Sequence, residues 1–231
     1  MGRQDLVTPA AGEVLYGPAP SVSVVICTFN RAGLVGRAIE SVLAQTWRDW
    51  ELVIVDDGGS DSTFDVVNRY VMEHAGIRYL KHRNREQALA RNLGIKASFG
   101  EYVAFLDSDD AYSPEHLESR LEYLRAHPEV DMIQGGLIAD PDIDVVDYFD
   151  RSRTINLHEC VVCGTFVAKR SVLVEVGGFP DEPPMEDTAL WYRVKARFRT
   201  AEVMEPRTYI YTRAESSVTR DALERLRALV D

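Results

Sequence analysis

Tyr102-Val103-Ala104-Phe105-Leu106-Asp107-Ser108-Asp109-Asp110 sets five apolar residues directly against four polar ones, three of them acidic. A short apolar run of this kind reads as a strand buried on both faces, the type found in parallel sheets covered by helices. Working outward, the pattern recurs. Val22-Ser23-Val24-Val25-Ile26-Cys27 precedes Thr28-Phe29-Asn30-Arg31, and Leu52-Val53-Ile54-Val55 precedes Asp56-Asp57-Gly58-Gly59. Ile77-Arg78-Tyr79-Leu80 is a further short run. Between the first two, Leu34, Val35, Ala38, Ile39, Val42 and Leu43 recur at three and four residues as far as Trp47, which is a helix with one apolar stripe. Ser62 with Asp65 three residues on resembles a capping box ahead of a helix through Val66, Val67 and Tyr70. Another helix falls near 86–98. Four strands alternating with helices predict an α/β fold with a Rossmann-like, mostly parallel central sheet flanked by helices.

Beyond Asp107 the rhythm changes. Ser113-Pro114 opens a helix with Leu117, Leu121 and Leu124 on one face, Asp131 to Leu137 reads as a fifth strand, and Cys160 to Ala168 as another. Five aspartates between Asp140 and Asp150 read as a mobile acidic loop. Glu186-Asp187 opens a helix carrying Leu190, Trp191, Val194 and Phe198, and a final helix carries Leu223, Leu226 and Val230. Residues 1–20, with Pro9, Gly12, Gly17, Pro18 and Pro20, read as a flexible arm, leaving 21–231 as a single domain.

Composition narrows the partners. Among 231 residues, Lys+Arg 26 against Asp+Glu 37 gives a net charge of −11, which disfavours nucleic acid. No apolar run reaches the ~20 residues of a membrane-spanning helix. Three cysteines form no paired framework and, with no secretory leader, suit a cytoplasmic setting. Cys160-Val161-Val162-Cys163 is a single C-x-x-C, and on a strand its two thiols point to opposite faces, so both cysteines read as structural, with His158 left beside an acceptor pocket.

In such a sheet, ligands bind beyond the carboxyl ends of strands where strand order reverses. If the first strand lies between the second and the fourth, Asp56-Asp57 and Asp107-Ser108-Asp109 flank one crevice. At a spacing of two in an extended segment, Asp107 and Asp109 point the same way and can share a divalent cation, with Ser108 facing elsewhere. Each candidate has a plainer reading: Asp56 or Asp57 as a helix cap, Arg91 as a surface residue, Asp187 as a cap.

Taken jointly, Cys27-Thr28-Phe29-Asn30-Arg31, Val55-Asp56-Asp57-Gly58-Gly59-Ser60-Asp61, Ala90-Arg91-Asn92, Gly100-Glu101-Tyr102 and Phe105-Leu106-Asp107-Ser108-Asp109-Asp110 resemble the family 2 glycosyltransferases of the GT-A fold over about residues 21–215. The resemblance implies a transferase that moves a sugar, with inversion, from a nucleoside diphosphate sugar, a UDP-sugar foremost, to a hydroxyl of a glycan or lipid-linked acceptor, using Mn or Mg. It implies a nucleotide-binding half over about 21–112 and an acceptor half with a smaller sheet over about 113–231. Carried over by position, Thr28, Phe29, Asn30, Arg31, Asp57, Arg91, Asp107 and Ser108 face the nucleotide, and Asp109 with Asp107 takes the metal. Asp187 is the catalytic base with Glu186 beside it. An enzyme of this kind is cytoplasmic, or peripheral to the membrane. The chain departs from the pattern at Gly59-Ser60, at Glu86, and at Ala214, where many relatives have His. Two alternatives stand beside this reading, a nucleotide-sugar-binding partner subunit without turnover and a nucleotidyltransferase. A dinucleotide-dependent oxidoreductase is excluded, because Thr28 to Gly33 lacks the Gly-x-Gly-x-x-Gly turn.

Overall fold

The structure, a computed structural model, describes residues 19–83, 87–150, 152–181 and 185–212. Residues 1–18 of the expected arm and the expected final helix lie outside them, as do Glu86 and Ala214. The N-terminal portion runs β1 (Val22–Thr28), α1 (Val35–Leu43), β2 (Trp50–Asp56), α2 (Thr63–Glu73), β3 (Ile77–Lys81), α3 (Gln87–Ala97) and β4 (Tyr102–Asp107). There follow β5 (Ala111–Tyr112), α4 (His116–Ala126), β6 (Met132–Gln134), β7 (Leu137–Ile138), β8 (Asp144–Val146), β9 (Thr154–Asn156), β10 (Val167–Lys169), α5 (Arg170–Glu175), α6 (Glu186–Lys195), β11 (Thr200–Glu202) and β12 (Tyr209–Ile210).

The main sheet has the order β11-β6-β10-β4-β1-β2-β3. β4, β1, β2 and β3 run parallel, and β10 is antiparallel to both β4 and β6. β1 lies between β2 and β4, which meets the condition for the two acidic strand ends to flank one crevice. Register brings Cys27 level with Asp107 and Thr28 level with Asp56, so the polar ends of all three strands emerge at one edge. Successive residues of a strand face opposite sides, and both sides are buried. Val24, Ile26, Leu52, Ile54, Ala104 and Leu106 pack with Val35, Ile39, Val42, Leu117 and Leu121. Val25, Val53, Val55, Val103 and Phe105 pack with Ala88, Ile95, Leu190, Trp191 and Val194.

Four local readings are corrected. The expected strand from Asp131 to Leu137 is divided between two sheets: Gly135 and Gly136 take φ of 111° and 78°, a region that favours glycine, and β7 leaves to join β5 and β12 in a three-stranded sheet. The stretch Cys160 to Ala168 is mostly not a strand. Leu157–Glu159 and Cys163–Thr165 are single 3₁₀ turns and only Val167–Lys169 pairs, because the Thr165 and Phe166 N–H groups bond back to the Val162 and Cys163 carbonyls at 3.0 and 2.9 Å and not to a neighbouring strand. Between the two turns Cys160 and Val162 keep extended backbone without strand pairing. Residues 140–150 are not a loose loop, since β8 pairs antiparallel with β9. Ser62 makes no capping hydrogen bond. Asp61 instead accepts from the Thr63 backbone N–H at 3.0 Å and from its hydroxyl at 2.6 Å.

Candidate active site

The carboxyl ends of β1, β2 and β4, the start of α3, the β8–β9 hairpin and the first turn of α6 enclose one cavity of about 390 Å³. That is within the range of small-molecule sites, ~300–1,000 Å³. From β1, Thr28, Phe29 and Arg31 line it. Thr28 is buried and its Oγ1 has no hydrogen-bond partner, so it offers an unused polar contact to a ligand. Asn30 is not on the wall. It takes φ of 52°, and its Oδ1 accepts from the backbone N–H of Ser60 at 2.7 Å and of Asp61 at 3.3 Å, bracing the first loop against the second.

The two aspartates after β2 divide their work. Asp56, 1% exposed, accepts from the Gly59 N–H at 2.8 Å and from the Tyr79 hydroxyl, with the Lys81 ammonium at 3.7 Å, and so builds the turn. Asp57 lines the cavity, and its Oδ1 lies 3.2 Å from Nε2 of His82. His82 follows β3, and sequence reasoning missed it. The available signal was its place at the carboxyl end of the third parallel strand.

After β4 the chain does not stay extended. The Asp110 N–H donates to the Asp107 carbonyl at 3.0 Å, closing a turn, and Asp107, Ser108 and Asp109 all face the cavity. The carboxylates thus share the wall through a turn and not through strand alternation, which is also why Ser108 does not face away. Burial raises the Asp109 carboxyl above its usual range, and the negative charge of Asp107 adds to the rise. Behind them, Asp110 accepts from the Tyr209 hydroxyl and from the Thr212 N–H at 2.7 Å. Arg37 donates to the Asp109 carbonyl and to the Thr212 hydroxyl, so the turn is held from two sides.

Arg91 is not a surface residue; it is 5% exposed. Its guanidinium joins Asp107 Oδ1 at 3.1 Å to Glu186 Oε1 at 2.9 Å, which ties β4, α3 and α6 together. Glu186 Oε2 is buried without a partner. Asp187 lines the cavity in the first turn of α6, but the N-cap position is Met185, so Asp187 is not the cap. Its Oδ1 accepts from the Thr188 N–H at 2.7 Å. Burial pushes its carboxyl up to about 6; Arg91 opposes the rise, and Glu186 and Asp107 add to it. A carboxylate with that value is ionised at neutral pH yet basic enough to accept a proton.

Among the described residues no group of three or more His, Cys, Asp or Glu side chains gathers as a metal site. The Asp107–Asp109 turn is of a different kind, a pair of crowded carboxylates facing a cavity. That donor set fits a hard divalent cation that completes its shell with phosphate oxygens and water. Cys160 and Cys163 are free thiols, the first half-buried and pushed up to about 12 by burial.

The family model for glycosyl transferase family 2 matches residues 23–177. An uncharacterized glycosyltransferase of Rickettsia felis is 40% identical over 120 residues, 52% of this chain and 19% of that protein, so the chain spans less than a fifth of that relative's length. The UDP-Glc:alpha-D-GlcNAc-diphosphoundecaprenol beta-1,3-glucosyltransferase WfaP of Escherichia coli is 28% identical over 182 residues, 76% of this chain and 70% of that one. Among solved structures, the mannosyltransferase PcManGT from Pyrobaculum calidifontis in complex with GDP-Man and Mn2+ superposes with a TM-score of 0.72 at 20% identity, covering 92% of this chain and 65% of that one. With the strand order, the polar strand ends and the family match in agreement, the chain belongs to the family 2 glycosyltransferases and has the GT-A fold.

Proposed function

We propose that the protein transfers a sugar, with inversion, from a UDP-sugar to a hydroxyl of a glycan or lipid-linked acceptor. The observation that carries this reading is that Asp187 and the Asp107–Asp109 turn line one cavity, so a proton acceptor and a carboxylate pair open on the same space. Thr28, Arg31 and Asp57 line the same cavity and suit the nucleotide, with Asp57 accepting from a base N–H. Arg91 is committed to Asp107 and Glu186, so its part is to hold these carboxylates in place as well as to add positive charge near a diphosphate. Asp107 and Asp109 would hold Mn or Mg, which supplies charge to offset the departing diphosphate. Asp187 takes the proton of the acceptor hydroxyl as its oxygen attacks the anomeric carbon from the face opposite the leaving group. In this reading residues 21–112 serve the donor and 113–231 the acceptor. The WfaP relative, named for a UDP-sugar donor, and the Mn2+ complex of the structural neighbour support the donor class and the cation.

Calorimetry tests it. UDP is expected to bind in Mg or Mn and to weaken about tenfold or more in chelator, a loss of ~1.4 kcal/mol. Equal affinity in both removes the metal from the site, and absence of UDP binding in either removes the donor assignment. Slow release of sugar from the donor to water separates an enzyme from a binding subunit.

A further inference from the structure

Where the β8–β9 hairpin and α6 meet the cavity, three aromatic rings stand together, two of them exposed to water. Phe149 is 72% exposed and Tyr192 is 41% exposed, although both line the cavity together with Tyr148. The Tyr148 and Phe149 rings are 5.1 Å apart edge to face, Phe149 and Tyr192 are 5.4 Å apart at 71°, and Tyr148 and Tyr192 are 6.3 Å apart and nearly parallel. Leaving this much apolar surface in water opposes the hydrophobic effect, and such a patch beside a cavity marks a binding surface.

The hairpin is built to present it. Asp147, buried at the start of the turn, accepts from the Phe149 N–H at 2.8 Å and from Arg153 Nε at 2.7 Å. The Asp147 N–H also donates to the Arg153 carbonyl at 3.0 Å. The turn is thus held by a buried carboxylate while its aromatic residues face outward. Tyr192 lies five residues beyond Asp187 on α6, a rise of ~7.5 Å along the helix.

Charge selects the occupant. Among the described residues, this end of the cavity contributes Asp147, Glu159, Glu186 and Asp187 to the wall; Arg153 pairs with Asp147 and Arg91, itself a wall residue, with Glu186, so Glu159 and Asp187 keep carboxylate charge that no ion pair offsets. An anionic group would meet like charge there, whereas a neutral ring can place its C–H face on the aromatics and its hydroxyls on the carboxylates. We propose that Tyr148, Phe149 and Tyr192 form a platform for the apolar face of a neutral pyranose of the acceptor. The proposal rests on the reading of Asp187 as the base facing that acceptor.

Saturation-transfer NMR with methyl glycosides of glucose, mannose and N-acetylglucosamine, on protein holding UDP and Mg, tests it, with farnesyl phosphate as the lipid-like probe. At least one glycoside is expected to receive saturation on its ring C–H protons. The signal should fall about tenfold in Phe149→Ala and in Tyr192→Ala, a loss typical of a contact that anchors binding, and persist in Tyr192→Phe. UDP affinity, measured on the same variants, should be unchanged. Glycoside signals equal to wild type in both alanine variants overturn the platform, as does farnesyl phosphate binding through these rings where no glycoside does. So does wild-type protein that binds UDP but no glycoside. If UDP itself fails to bind, the donor reading fails, and the glycoside comparison run without nucleotide still decides the platform by the same ratio.

Discussion

Asp187 is where one atom decides between chemistry and architecture. In Asp187→Asn the side chain can still accept from the Thr188 N–H, but the basic oxygen is gone. We expect kcat to fall by about 10² to 10⁴ while UDP affinity stays within a few-fold, because proton acceptance is needed only in the transition state. Turnover assayed alongside UDP calorimetry checks this, and near-normal turnover in folded protein removes Asp187 from the mechanism. Its raised value also fixes the pH dependence. The base must be ionised, so kcat/KM should fall as pH drops below about 6. For stability the sign is opposite. Between about 3.8 and about 6 the folded chain holds a proton on Asp187 that the unfolded chain has released, so this group costs stability as pH rises through that window. Asn does not titrate, so the melting temperature of Asp187→Asn relative to wild type should be more favourable at pH 8 than at pH 4.

At the scale of elements, α3 shows a helix rule overridden by packing. Glycine inside a helix costs ~1 kcal/mol relative to alanine, so Gly94→Ala taken alone should stabilise. A Cβ at Gly94, however, would lie 2.3 Å from Cγ1 of Val25, a buried β-branched residue in the central strand β1 with no freedom to move aside. We expect Gly94→Ala to destabilise by about 1–3 kcal/mol, the usual cost of an overpacked core. Thermal melting checks it: an unchanged or higher melting temperature shows that α3 can withdraw from the sheet. The same approach fixes Arg91, one turn before Gly94, at the depth where it meets both Asp107 and Glu186.

For the whole molecule, the site lies where β1, β2, β4, α3, α6 and the β8–β9 hairpin meet, so a ligand there links both sides of the central sheet. Ligand that binds only the folded chain stabilises it by mass action, ~2.7 kcal/mol at a hundred times Kd, and 1 kcal/mol moves the melting point of a chain this size by ~2–4 °C. UDP with Mg is therefore expected to raise the melting temperature by about 5–11 °C. UDP with chelator should give much less, and equal shifts argue against the cation.

The sequence by itself determined the parallel half of the sheet, its helices and the polar strand ends, because these depend on local periodicity and on apolar runs stopping at acidic residues. Asp57, Asp107 and Asp109 stood out for that reason, whereas Asp187 stood out only through the family resemblance. Family resemblance assigned their roles. What depends on partners distant in sequence was decided only by the tertiary structure. Arg91 reads as a surface residue until its partners 16 and 95 positions away are brought to it. Asn30 reads as a ligand contact until Ser60 and Asp61 occupy its oxygen. Residues 140–150 read as a solvated acidic run until Arg153 and the Phe149 N–H take up Asp147 and the turn sets its rings beside Tyr192. Charge and hydropathy along the chain carry no record of which buried atoms will meet, and the pairing of those atoms is what turns three strand ends and a helix start into one cavity.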